Sequence, residues 1–181
     1  MKIATSPTRE KFPLSYKKIL KKTIANSLII LVPIVPIGVI PIIPIAIMFG
    51  PSKKGLPPLV FTLIPIIAII LIVLIIVVIV LNYLYQRWYF ATYYYDLAPN
   101  YVVIRKGPLT PAETTIPYER IQDVYVDQDL LDRILGLYDV HIASAALASG
   151  MRAHIDGVEK AGAEGLRESI LKTIQEKIGN K

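Results

Sequence analysis

The sequence predicts an α+β protein: a helical hairpin that crosses a membrane, then a small curved antiparallel sheet closed by one amphipathic helix. Three observations predict it. Two apolar runs, LIILVPIVPIGVIPIIPIAIMFG and LVFTLIPIIAIILIVLIIVVIVLNYL, occupy Leu28–Leu84 around the polar turn PSKKGLPP, and neither contains a charged residue. From Gln86 the pattern changes to apolar–polar alternation, the period of a half-buried strand. Near the end, Leu166, Ile170, Leu171, Ile174 and Ile178 recur at helical spacing among charged residues.

The apolar runs set the domain plan. About 20 apolar residues cross the ~30 Å hydrocarbon layer as a helix. The spacing therefore predicts spans over 28–49 and 59–84, an external turn over 50–58, and a hairpin domain over 27–85. A basic amphipathic segment, 1–26, precedes it and a cytoplasmic domain, 86–181, follows. The mean hydropathy of +0.51 is high for a soluble protein, and the hairpin accounts for it. Ile66–Leu81 is unbroken Ile, Leu, Val and Ala. The first run carries Pro33, Pro36, Pro41 and Pro44. At 100° per residue these fall within about 140° of one another, which predicts a kinked span with a proline face packed against a neighbour.

Charge sets the orientation. Residues 1–26 hold seven basic residues against Glu10 alone, and the turn adds Lys53 and Lys54. Basic flanks favour the cytoplasmic side, so both termini are expected there in a multi-pass cell-membrane protein. From Gln86 onward eleven basic residues face thirteen acidic ones, about −2. A nucleic-acid-binding domain needs its positive charge on the folded domain, so no nucleic-acid partner is expected. Pro13–Asn26 reads as a helix at the membrane surface, with Tyr16, Ile19, Leu20, Thr23 and Ile24 on one face. Lys17, Lys18, Lys21 and Lys22 lie on the other, where they meet anionic lipid or simply set topology. The long, late apolar run is expected to be an uncleaved anchor.

The tail reads in order. Trp88–Asp96 is a first strand, with Trp88, Phe90, Thr92 and Tyr94 on one face. Tyr101–Lys106, Glu113–Ile116 and Ile121–Asp127 follow. A short helix spans Asp129–Leu135, capped by Asp127 or Asp129 and ended by Gly136. Strands over Tyr138–Ala143 and Met151–Ile155 come next, the latter ended by Asp156-Gly157. A helix over Ala161–Ile178 closes the chain.

One stretch, IPYERIQDVYVDQDLLDRILGLYDVHIASA, resembles the signature of a bacterial and archaeal pleckstrin-homology-like family of small membrane proteins. The matching parts are Pro117 and Tyr118, the triplet Arg120, Ile121 and Gln122, Leu130–Leu135 with Arg133, then Gly136 and Leu137, and Val140–Ile142. YVVIRKGPL upstream and HIDGVEKAGAEGLRESIL downstream extend the likeness over roughly Trp88–Ile174. The resemblance implies a PH-like antiparallel β-barrel or sandwich capped by a C-terminal α-helix, usually behind two spans. It implies structural or partner-binding roles for the signature residues. Arg120 and Gln122 are expected to hold turn carbonyls or partner groups within the fold, with a binding role as the alternative. A fold does not by itself settle function.

The absence of cysteine excludes disulfides and thiolate chemistry. Asp123, Asp127, Asp129 and Asp132 lack EF-hand spacing and read as caps and solvated surface. His141 and His154 fall on separate strands that can be neighbours, but lack a third clear zinc ligand. Ser144 and Ser149 have no nucleophile-elbow setting, and no glycine-rich phosphate loop occurs. No catalytic residue, metal or cofactor is expected, and neither run carries an ionisable group for transport. The expected partners are membrane lipid, through the hairpin and basic N-terminus, and a protein or further copies of the chain. Two roles fit these partners: a membrane-anchored interaction module, and an envelope-stress or lipid-associated accessory factor reading headgroups.

Overall fold

The alternation beyond Tyr94 resolves into two separate three-stranded antiparallel sheets rather than the single curved sheet expected from sequence. The structure, a computed structural model, describes residues 4–39, 58–144 and 153–179. Helices α1 (Pro7–Lys11), α2 (Lys17–Val39) and α3 (Pro58–Thr92) come first. Strands β1 (Tyr94–Leu97), β2 (Tyr101–Lys106) and β3 (Ala112–Pro117) form one sheet. Strands β4 (Ile121–Asp127), β5 (Leu137–Ser144) and β6 (Ala153–Glu159) form the other, with α4 (Leu130–Leu135) between β4 and β5. Helix α5 (Lys160–Gly179) closes the chain. By its contacts the chain divides into two units, Met1–Lys21 with Gln86–Lys181, and Lys22–Tyr85.

In the first unit both sheets and α5 share one core. Val102 and Ile104 of β2, Ile116 of β3, Val140 and Ile142 of β5 and Ile155 of β6 pack with Leu166 and Ile170 of α5. Each large aliphatic so buried stabilises by roughly 1.5–3 kcal/mol relative to exposure. The spacing of Leu166 and Ile170 is therefore what docks α5. The tight turns are local chemistry. Asp129 caps α4 in a reciprocal capping box with Asp132, and Gly136 takes φ 68° at the C-terminal end, as the sequence predicts.

Two strand boundaries differ from expectation. Trp88–Thr92 is the last part of α3, with the Tyr93 N–H donating to the Tyr89 carbonyl at 3.0 Å, and β1 begins only at Tyr94. Aromatic β-propensity depends on context, and here the helix simply continues, burying Phe90 and Ala91. Strand β6 does not stop at Asp156-Gly157 but runs to Glu159, with Gly157 at φ 79° beside a register shift.

The N-terminal segment differs most. It is α1, a break at Phe12–Tyr16, and then α2, rather than one surface helix over Pro13–Asn26. Lys18 and Lys21 are 1% and 3% exposed, whereas Tyr16 and Leu20 are 66% and 49% exposed. Aspartates of the folded domain pull these two lysines inward, and the expected apolar stripe is split: Ile19 and Thr23 are buried, while Tyr16, Leu20 and Ile24 are exposed.

In the second unit, Asn82 Nδ2 donates to the Thr23 carbonyl (3.1 Å) and to Ser27 Oγ (3.0 Å), joining α3 to α2. Pro33 and Pro36 lie inside α2, which continues through both. Among the described residues one helix, Pro65–Thr92, is long and apolar enough to cross a membrane. The structure does not show the second crossing of the expected hairpin. Residues 40–57, with Pro41, Pro44 and most of the expected turn, lie outside the described residues.

Candidate functional site

Two features of the first unit combine burial with charge. The first is a strap, residues 4–21, laid across the two sheets. Ser6 caps α1, accepting the Arg9 N–H at 3.0 Å, and its own hydroxyl donates to the Tyr95 carbonyl. The Arg9 guanidinium is buried and donates to the carbonyls of Ala4, Tyr93 and Phe90. Burial lowers its pKa, against the opposing influence of Tyr95 and Tyr93. Thr8 Oγ1 donates to Asp96 at 2.6 Å, and Leu14 bridges to Val158.

Two lysines complete the strap. Lys18 Nζ meets Asp156 Oδ1 at 2.9 Å and lies 3.6 Å from the centre of the Tyr93 ring. Lys21 Nζ sits among Asp132 (2.5 Å), Asp129 (3.0 Å) and Asp139 (3.4 Å). Burial alone would lower the Lys21 pKa, but hydrogen bonds to Asp132 and Asp129 and the charge of Asp139 outweigh it and raise it. Burial raises the carboxyl of Asp132, which is fully enclosed and has one oxygen without a hydrogen-bond partner. Asp129 is held below the ordinary carboxylate value: burial opposes, while the Asp132 N–H and Lys21 stabilise the anion.

The second feature is an open groove of about 950 Å³ between α5 and the β4–α4–β5 side. Strand β4 is the edge of its sheet. Arg167 Nε on α5 donates to the Val124 carbonyl at 3.2 Å, so that carbonyl points out from the sheet edge toward α5. Val126, Tyr138 and Leu171 give the groove an apolar strip, and Glu164, Glu168, Arg133 and Lys172 line it with charge. Among the described residues none of those four side chains makes an ion pair.

The signature residues are scattered. Pro117 ends β3 and precedes a 3₁₀ turn, Tyr118–Arg120. Tyr118 is buried; burial pushes its hydroxyl up to about 12, with the Asp96 charge assisting and a Thr173 hydrogen bond opposing. Arg120 and Gln122 are exposed, and among the described residues neither side chain holds a turn carbonyl. Ile121 packs partly against the core, and Gly136 ends α4. Only Arg133 of this set lines the groove.

This arrangement of two sheets and a closing C-terminal helix can be set beside known proteins. Residues 27–174 match the bacterial PH domain. The chain belongs to the bacterial PH domain family. No curated protein and no solved structure gives a significant match. The match begins at residue 27, so the strap built into this bacterial PH domain lies outside it.

On the outer face of the second sheet, the PH domain stacks Tyr125, His141 and His154, with ring centres 5.0 and 5.4 Å apart. The two histidines are thus neighbours, as the alternation allowed. Asp127, Asp139 and His141 bring potential ligand atoms within 4.8 Å of one another. All three are engaged, however. His141 Nε2 is 3.0 Å from Asp127, while Asp139 accepts from the Gly157 N–H and faces Lys21. A cation at this point would sit beside a lysine ammonium.

Sequence reasoning missed Arg9, Lys18 and Lys21 as interior groups, because lysine-rich runs ordinarily read as solvated. One signal was available: an acidic tail and a basic N-terminus have opposite charges that can pair.

Proposed function

We propose that this protein is a membrane-anchored bacterial PH module that presents its head to a protein partner at the cytoplasmic face and carries out no catalysis. In this reading the two apolar runs form a two-pass anchor, both termini are cytoplasmic, and the two sheets close into a PH-like barrel. The observation that carries the partner reading is the β4–α5 groove. It combines an apolar strip with charged side chains that have no ion-pair partners among the described residues, and an interface core flanked by charge has that composition. Arg133, the signature residue in the groove, is the natural contact.

Headgroup reading by the basic N-terminus is the weaker alternative. Three of its seven basic residues are buried, Lys18 and Lys21 against aspartates and Arg9 against backbone carbonyls, which lowers the positive charge left there to recognise lipid.

Photo-cross-linking in native membranes tests the reading. A cross-linking side chain at Leu171 or Lys172 should capture one discrete protein, and Arg133→Glu should abolish that capture. The same side chain at Arg105, on the other sheet, should not capture it. Capture of lipid alone from the groove positions would overturn the proposal.

A further inference from the structure

Helix α3 ends at Thr92 with no stop signal of its own. The final carbonyls of a helix lie beyond the reach of its own N–H groups. A helix commonly closes on a glycine or asparagine in the left-handed conformation. Here Tyr93 and Tyr94 follow, and among the described residues no residue other than glycine has positive φ. The partners come from the strap instead. The Ala4 N–H donates to the Ala91 carbonyl at 2.8 Å. Arg9 Nη2 donates to the Phe90 carbonyl at 3.0 Å, and Arg9 Nη1 to the Tyr93 carbonyl. Arg9 is buried, its guanidinium carbon lies 5.4 Å from the centre of the Phe90 ring, and among the described residues it pairs with no carboxylate. Its position accounts for a buried cation without a counter-ion, because the C-terminal end of a helix carries partial negative charge.

The capped turn has a second conformation open to it. Trp88, Tyr89, Phe90, Thr92 and Tyr93 favour strands by residue type, and they run straight into β1. The register that pairs Tyr94 with Arg105, continued one step back, sets Tyr93 against Lys106, the last residue of β2. The Lys106 ammonium already lies 5.4 Å from the centre of the Tyr93 ring. The apolar helix carries the segment into the helical state, and the strap closes its end. With the strap lifted, the carbonyls of Phe90 and Ala91, both buried residues, lose their partners. A buried backbone carbonyl must be paired, and uncoiling the turn is what restores hydrogen bonds to them.

We propose that the strap is a conformational switch for the end of α3: docked, it holds Trp88–Thr92 helical through Arg9; displaced, it lets this turn uncoil and lengthens β1. Arg9 is the positioning residue of the device. The chain has no cysteine, so Trp88→Cys/Thr92→Cys supplies the two spin-label sites in the full-length protein. Positions four apart are separated by about 6 Å on a helix and by about 13 Å in extended chain. The expected result is strong dipolar broadening with Arg9 present. In Arg9→Met a fraction of the molecules should lose that broadening while the Val140 and Ile142 amides of β5 stay protected from hydrogen exchange. Arg9→Lys, which keeps the charge but not the two-pronged donor, should fall between the two. Undiminished broadening in Arg9→Met overturns the proposal. Loss of broadening only together with loss of β5 protection overturns it as well, because the turn then has no second state apart from global unfolding.

Discussion

The Lys18 ammonium and the Asp156 carboxylate meet at 2.9 Å across 138 residues of chain, with both side chains at most 5% exposed. The pair fastens the strap to the middle of β6. Removing one partner of a buried ion pair costs about 3–5 kcal/mol, because a charge stays enclosed, whereas replacing both with apolar residues is close to neutral. Asp156→Ala should therefore lower unfolding stability by about that amount. The double variant Lys18→Met/Asp156→Leu should recover most of it. Denaturant unfolding followed by near-UV circular dichroism measures both. A loss below about 1 kcal/mol for Asp156→Ala, typical of a surface pair, would show that this contact does not hold the strap.

Gly157 and Gly136 share a left-handed backbone but differ in surroundings. Gly136, at φ 68°, has nothing within 4 Å of the position a Cβ would take. Alanine there should cost only the conformational penalty, about 1–2 kcal/mol, and asparagine less. Gly157, at φ 79°, would place a Cβ 2.7 Å from the Cβ and Cδ of Lys18. Gly157→Ala should cost more than Gly136→Ala, because it also displaces the lysine stem. Equal losses in the same unfolding measurement would contradict the close approach of strap and β6.

How much of this was legible is clearest at particular residues. The α4 cap, Gly136, the β4 span and the α5 stripe follow from local rules, in which propensity, capping and period act within a few residues. Burial of Lys18 and Lys21 depends on partners more than 100 residues away, which no local period encodes. Trp88–Thr92 went to the helix for a related reason: the aromatic residues fit either state, and the preceding apolar helix decided it. The groove was invisible for the same cause, since Arg133 and Arg167 lie on separate helices. Only the resemblance singled out Arg133, and it gave no location.

Alkaline pH should destabilise the head. Tyr93 and Tyr95 are raised above the ordinary 10.0 by burial, and Tyr118 is pushed up to about 12. Lys21 is raised above 10.5 by its aspartates, which outweigh its burial. In each case the folded state binds more protons than the unfolded state above pH about 10, so stability falls as pH rises. Below that pH the contribution is complete. Thermal midpoints measured between pH about 8 and 12 should fall beyond pH about 10, with tyrosinate absorbance appearing together with unfolding. On the acid side Asp129 and Asp132 shift in opposite directions, so their slopes oppose. A midpoint constant up to pH about 12 would contradict the buried tyrosines.

Membrane topology tests the central claim most directly. The chain contains no cysteine, so Lys54→Cys and Thr110→Cys each provide one reporter. In intact cells, a membrane-impermeant maleimide should label position 54. It should label position 110 only after permeabilisation. Labelling of position 110 from outside in intact cells would place the head on the wrong side of the membrane and contradict the account.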